Sequence, residues 1–380
     1  MPERSGGTGV SARIVRLANF VMPRSGGLRT ALHALGEGYL AAGHEPILIV
    51  PGAEYSDEMT KQGRVITIPG PVVPGTGGYR VLLARRRLVK LLADLAPDRL
   101  EVSDRFTLRW TGRWARERGI PAVMVSHESL AGLLTFAGPL GNPWANLLNA
   151  RSFRSYDRIV CTTGWAANEF RRIGAGNLAQ VPLGVDLELF NPSRYDDTLR
   201  ARYARPDQVL LVHCGRLSSE KRPERSVDAL VALRKRGIDA VLVVAGDGPL
   251  RARLQEQARG HEVHFMEFVA ERTAVASLLA TADVVIAPGP IETFGLAALE
   301  ALACGTPVVV DAASALPEVI GAAGVAVTND FASGVLRVLE RPAAARRAEA
   351  RARAEQFSWP AAVAGFLAVH HSLVLSGVAP

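Results

Sequence analysis

Cysteine is scarce in this chain: three occur in 380 residues, Cys161, Cys214 and Cys304. They lie far apart in apolar or small-residue segments, without the spacing of a metal centre, and read as buried free thiols. Long apolar runs are also missing. No stretch reaches the roughly 18 residues that cross a bilayer, and Met1-Pro-Glu-Arg-Ser-Gly-Gly-Thr-Gly9 lacks the apolar core of a signal peptide. The expectation is a cytoplasmic protein without a membrane span. Aromatic residues make up only 6% and form no stacking module, which argues against nucleic-acid binding. No acidic metal-binding motif stands out.

What is present describes a globular protein with 48% hydrophobic and 21% charged residues. A chain of 380 residues exceeds the usual single-core size, so two domains are expected. A net charge of +7 and a pI near 9.7 favour an anionic partner. Nucleic acid, anionic lipid and phosphorylated ligands all satisfy that charge, and local clusters must choose among them.

Residues 12–20 read as a first strand, followed by the turn Ser25-Gly-Gly27 and a helix over about 28–42. Gly26 and Gly27 permit close backbone approach to a ligand at the carboxyl end of a sheet. Further strands are expected at 46–50, 65–68, 100–102, 122–125 and 158–162, with helical patterns between most of them. Such alternation predicts a mainly parallel sheet covered on both faces. His127 follows the strand 121–126 at its functional edge. The segment 79–92 reads as a basic amphipathic helix that sets Arg85, Arg86, Arg87 and Lys90 beside an apolar face. It fits either an anionic membrane surface or an ordinary solvated helix.

The polar stretch 193–207 lacks strong periodicity and marks the domain junction, after which a second alternation begins. Its strands are expected at 208–214, 240–245, 263–265, 283–286, 307–310 and 325–327. After the first comes Gly215-Arg-Leu-Ser-Ser-Glu-Lys-Arg-Pro223, where Arg216 and Lys221 can neutralise phosphate oxygens. The next ends in Gly246-Asp-Gly-Pro249.

The most informative stretch runs from Pro288 to Gly305, with acids at Glu292 and Glu300. It reads as a turn followed by a helix over 294–303, whose first amides, those of Thr293, Phe294, Gly295 and Leu296, can attract an anion. A wholly helical path would separate the two acids by roughly 12 Å, about the length of a diphosphate-linked ligand.

Taken together, Gly26-Gly27, His127, Gly215-Arg216 with Lys221, Gly246-Asp-Gly-Pro249, and Glu292 with Glu300 resemble the retaining glycosyltransferases of family 4. Within that family the chain is similar to actinobacterial GDP-mannose-dependent α-mannosyltransferases that act on glycolipids. The resemblance covers nearly the whole chain. It implies the GT-B fold: two Rossmann-like parallel-sheet domains, 1–192 for the acceptor and 193–358 for the sugar nucleotide, with a helix in 359–380 returning to the first. It also implies that Arg216 and Lys221 hold the diphosphate, Glu292 the donor sugar and Glu300 the ribose. Gly26, Gly27 and the amides of Phe294, Gly295 and Leu296 would approach the phosphate or sugar, with His127 near the reacting end and Val269 bordering the base. Arg29 falls where relatives place an acceptor-side residue, and an arginine there suits an anionic acceptor.

No motif places a carboxylate as the covalent nucleophile of double displacement. The resemblance implies same-face attack with retention and GDP-mannose as donor substrate, and with no acidic metal-binding motif in the chain no obligatory cofactor and no essential divalent metal are expected. The implied partners are an anionic lipid or glycolipid acceptor and, through Arg85 to Lys90, the inner membrane surface. A sugar-nucleotide epimerase and a noncatalytic sugar-nucleotide binding module are the competing readings of the same fold.

Overall fold

In a computed structural model the chain is described over residues 11–21, 26–74, 78–134, 141–266 and 271–376. Val269 and Ser25 lie outside the described residues. The first sheet comprises β1 Arg13–Ala18, β2 Glu45–Gly52, β3 Ser56–Thr60, β4 Gly63–Pro69, β5 Arg99–Ser103, β6 Ala122–Ser126, β7 Arg158–Cys161 and β8 Leu178–Gln180. The second comprises β9 Val209–Cys214, β10 Ala240–Ala245, β11 Val263–Met266, β12 Val284–Ala287, β13 Val308–Asp311 and β14 Val325–Val327.

The strand orders are β3-β4-β2-β1-β5-β6-β7-β8 and β11-β10-β9-β12-β13-β14. All pairings are parallel except β3 with β4. Strands such as Ala-Val-Leu-Val-Val-Ala in β10 are buried along their whole length, because helices cover both faces. The order reverses beside β1 in the first sheet and beside β9 in the second, where β9 meets β12. Chains leaving neighbouring strands there diverge to opposite faces and open a crevice at the carboxyl edge.

Two strands escaped the sequence pattern. β3, Ser-Asp-Glu-Met-Thr, is mostly exposed and pairs antiparallel at the edge, where charge guards against further pairing and no apolar alternation is needed. β8 has only three residues. The junction also holds a short helix, Asp197–Tyr203, whose cap Asp196 accepts from the amides of Thr198 and Leu199.

The basic segment is a correction. Its helix spans Arg85–Leu95 rather than beginning at Tyr79, since Arg80 forms an isolated bridge with Val72. Leu88, Leu92 and Leu95 face the core, and Arg85, Arg86, Arg87 and Lys90 are exposed.

One buried cluster joins the two halves, running from Ile14, Tyr39 and Val160 through Phe190 to Leu299 and Val310, and taking in Phe366. Phe366 lies on the helix Trp359–Ser376, which packs on the helix Gly27–Ala41. Gly38 is needed for that approach: a Cβ there would lie 2.2 Å from Val363 Cγ2. Beneath the contact, Glu101 accepts from Arg16 at 2.8 Å and from Tyr39 at 2.7 Å, and lies 3.1 Å from His370 Nε2. Burial disfavours the Glu101 carboxylate, but Arg16 and His370 outweigh it and hold the carboxyl well below its usual range. The three cysteines are free, and burial pushes each thiol up to about 12.

Candidate active site

The loops leaving β9 and β12 meet at the point where the strand order of the second sheet reverses. Lys221, from the first loop, donates to the Glu292 carboxylate from the second. Burial opposes the ammonium, but Glu292, with Glu220 and Tyr79, more than compensates and raises Lys221 above its ordinary value. Gly289 lets these loops close on each other, since a Cβ there would come within 3.2 Å of Lys221 Cα. Arg225 anchors the second loop through the buried Asp311 and the Pro288 carbonyl, the latter at 3.5 Å.

Arg216 lies with its guanidinium 4.6 Å from the centre of the Tyr79 ring. Tyr79 belongs to the first half, and Phe20 braces it edge-on at 6.0 Å. Such a cation–π contact restricts the guanidinium without using its N–H groups. Tyr79 was missed because it sits inside the segment read as a helix.

Glu292 and Glu300 are not joined by one continuous helix. The helix begins at Leu296, and Gly295 precedes it with φ 80°. Any Cβ at Gly295 would fall 2.1 Å from Leu316 Cδ2, so the residue is confined to glycine by both conformation and space. The expected start at Phe294 is therefore two residues early, and its amide and that of Gly295 precede the helix. Phe294 itself is buried, its ring 5.9 Å from that of Phe357. Gly27 does approach the helix start: a Cβ there would lie 3.5 Å from Leu296 Cδ1. Gly26 has φ 116°.

Glu300 pairs with Arg272 at 2.8 Å, and Arg272 also reaches Thr30 Oγ1 at 3.2 Å. Burial raises the Glu300 carboxyl, with Arg272 opposing. Arg272 carried no motif signal. Arg29, on the helix Gly27–Ala41, is half-buried, and its charge helps lower His33.

His127 stands across from the Glu292 loop, because Thr293 Oγ1 donates to the His127 carbonyl at 2.7 Å. The hydroxyls of Thr162 and Thr163 in turn donate to the Thr293 carbonyl at 3.2 and 2.9 Å. Burial lowers His127 to about 4, with Glu101 opposing and Arg16 and Arg105 adding. The imidazole is thus neutral near pH 7, and its buried Nε2 has no partner among the described residues. Glu128, next in the chain, is pushed up to about 7 by burial, against Arg105.

A cleft of ≈ 460 Å³ opens between the halves, lined by Ser129, Trp165 and Glu169 on one side and Glu220, Pro290 and Ile291 on the other. Glu169 shapes its first wall, accepting from the amides of Leu130 and Ala131 at 3.1 and 3.0 Å while paired with Arg105 at 3.3 Å. Lys221 and Glu292 adjoin the second wall in sequence, next to Glu220 and Ile291, and His127 stands two residues before Ser129 of the first; none of them lines the cavity itself, and Arg216 lies apart against Tyr79. Gly246 serves the same edge, since a Cβ there would strike the Gly215 carbonyl at 1.9 Å.

Two Rossmann-like sheets with their carboxyl edges facing one cleft define the GT-B class. Solved structures agree: sucrose-phosphate synthase from Thermosynechococcus elongatus superimposes with a TM-score of 0.76 at 21% identity, covering 96% of this chain and 100% of that one. Anabaena HepE in complex with UDP and glucose gives 0.73 at 18% identity, covering 96% and 99%. Residues 25–189 match the family described as Glycosyltransferase Family 4, and residues 196–355 match Glycosyl transferases group 1. The chain is 51% identical over 374 residues to a mycobacterial enzyme, covering 96% of this chain and 97% of that one. That relative is the GDP-mannose-dependent alpha-(1-6)-phosphatidylinositol dimannoside mannosyltransferase of Mycobacterium tuberculosis strain ATCC 25177 / H37Ra. The GDP-mannose-dependent alpha-mannosyltransferase of Mycolicibacterium smegmatis is 26% identical, with 78% of this chain and 79% of that one covered. The chain belongs to glycosyltransferase family 4.

Proposed function

We propose that this protein transfers mannose from GDP-mannose, with retention, to a phosphatidylinositol dimannoside, the acceptor named for the relative that shares half its residues. The observation that carries the reading is the Lys221–Glu292 pair at the strand-order reversal of the second sheet, on a loop bound through Thr293 to His127, whose buried Nε2 has no partner among the described residues. Residues 193–358 hold the donor in this reading, and 1–192 the acceptor, with the terminal helix tying the second to the first.

The chemistry follows from charge. As the bond from mannose C1 to the diphosphate breaks, negative charge grows on the departing phosphate, and Lys221 and Arg216 stabilise it. Glu292 orients Lys221 and accepts from donor-sugar hydroxyls. The acceptor oxygen attacks from the face the diphosphate leaves, and its proton passes to a phosphate oxygen. His127, neutral at working pH, offers Nε2 to a sugar hydroxyl near the reacting carbon without adding positive charge. Glu300 binds the ribose once Arg272 yields it, and the amide of Leu296, beside Gly27, faces the phosphates.

No helix among the described residues is long and apolar enough to cross a membrane. Attachment to the inner membrane face runs through Arg86, Arg87 and Lys90 beside Arg85, by attraction to anionic lipid. No divalent metal is required in this reading, because side chains and amides supply the leaving-group charge.

Incubation with radiolabelled GDP-mannose and purified phosphatidylinositol dimannoside tests the assignment. Label in a lipid one hexose heavier, with an α-linkage, supports it, as does full activity in chelator. Isomerised free nucleotide, or binding without turnover, overturns it.

A further inference from the structure

Outside the cleft, five arginines line one cavity of ≈ 540 Å³: Arg85, Arg109, Arg113, Arg151 and Arg154, with Trp110 beside them. Every lining residue comes from the first half, whereas the cleft is lined from both. The arginines arrive from three places: the start of the helix Arg85–Leu95, the start of the helix Trp110–Arg116, and the end of the helix Gly141–Phe153.

Their charge is scarcely compensated. Arg113 meets Glu117 at 3.3 Å, with both side chains largely exposed, and among the described residues the other four form no ion pair. Glu117 can screen little from such a position. The helix Arg85–Leu95 adds to the imbalance, since its first turn holds three arginines and no acid at the positive end of its dipole. Convergent like charges are unfavourable unless an anion joins them.

Forty of the chain's 44 basic residues are arginine, so finding arginine at all five positions follows from composition; what it brings to a shared cavity is its chemistry. Guanidinium offers a planar fork that matches phosphate oxygens bidentately. Arg85 lies 4.9 Å over the Trp110 ring, a stack that occupies its face and leaves its N–H edge for an acceptor.

We propose that this cavity is a second anion site, which binds a phosphate ester separately from the sugar nucleotide. The phosphate comes either from a phospholipid headgroup or from a soluble phosphorylated polyol. The inference does not depend on the identity of the donor or acceptor proposed above.

The test uses the full chain without donor. Glycerol 3-phosphate is titrated calorimetrically, and sedimentation is followed with phosphatidylcholine vesicles with and without phosphatidylglycerol. Arg109→Ala combined with Arg151→Ala should weaken association about tenfold or more, the equivalent of one charge-assisted hydrogen bond, and leave GDP affinity unchanged. Arg259→Ala, on the second half, should do nothing. A loss seen in the titration assigns the soluble source, and a loss seen only with anionic vesicles assigns the headgroup. Should the double variant melt early, Arg109→Lys with Arg151→Lys keeps the charge but removes the fork, and a several-fold loss again supports the site. The proposal is overturned if neither probe binds, if binding is insensitive to these substitutions, or if GDP affinity falls in parallel.

Discussion

At the carboxyl edge of the second sheet the charged groups come from two loops, 215–223 and 288–295, that follow neighbouring strands. The first half is organised differently. Its ionic network unites Arg16, Tyr39, Glu101 and His370, drawn from a strand, a helix, another strand and the terminal helix. The Lys221 and Glu292 side chains remain 33% and 22% exposed, whereas Arg16 and Glu101 are each 1% exposed. A partly exposed pair can rearrange around a ligand. A fully buried pair cannot, and its role is to hold the terminal helix against the first half. One edge is built to change partners and the other to keep them.

The largest effect should come from the buried network. Glu101→Gln leaves the Arg16 guanidinium without its counter-charge and should cost about 3–5 kcal/mol of stability, read as a lower denaturant midpoint. Lys221→Ala should show the reverse pattern, with kcat/KM for mannosyl transfer falling about 10²–10³-fold while the midpoint moves by less than about 1 kcal/mol. If Lys221→Ala unfolds the protein, or Glu101→Gln abolishes transfer without loss of stability, the contrast between the halves fails.

Gly295→Ala lies between the two. A left-handed alanine pressed against Leu316 should lose about 1–3 kcal/mol, and transfer should slow further because the helix start moves. Urea denaturation beside a GDP titration separates the two losses.

The smallest effect is the pH dependence. His127 and His213 are lowered to about 4 by burial, so between the ordinary histidine value and 4 the unfolded chain binds more protons than the folded one. Stability should fall as pH drops through that window. Glu101, held below the usual carboxylate range, stabilises above the unfolded carboxylate value, and that contribution is lost as pH falls further. Glu128 and Glu300, both raised by burial, work the other way, since the folded protein takes up those protons first, so in Glu128→Gln the midpoint should fall more steeply below pH 7 than in the unsubstituted protein, and Glu101→Gln should flatten only the most acidic part. A Glu128→Gln midpoint that falls no more steeply would contradict the Glu128 assignment.

The second half was more legible than the first for a physical reason. Its site residues sit on short loops after strongly apolar strands, so a strand pattern and a glycine turn place Arg216, Lys221 and Glu292 at one edge before any contact is known. Tyr79 and Arg272 had no such local marker. Each acts across the boundary between the halves, on Arg216 and toward Thr30 respectively. Periodicity also misjudged two starts: at Arg85, where a bridge from Arg80 to Val72 replaces the first helical turns, and at Leu296, where the left-handed Gly295 delays the helix.

The sequence by itself determined the alternation of apolar strands and amphipathic helices, and hence two parallel sheets with glycine-rich loops at their carboxyl ends. Those features rest on local periodicity and on backbone freedoms that only glycine supplies. Tertiary structure alone decided that Lys221 would meet Glu292, that Thr293 would bind the His127 carbonyl, and that five arginines on or beside three helices would line one cavity. Each joins residues far apart in the chain, and such distances close only when the helices and sheets have packed.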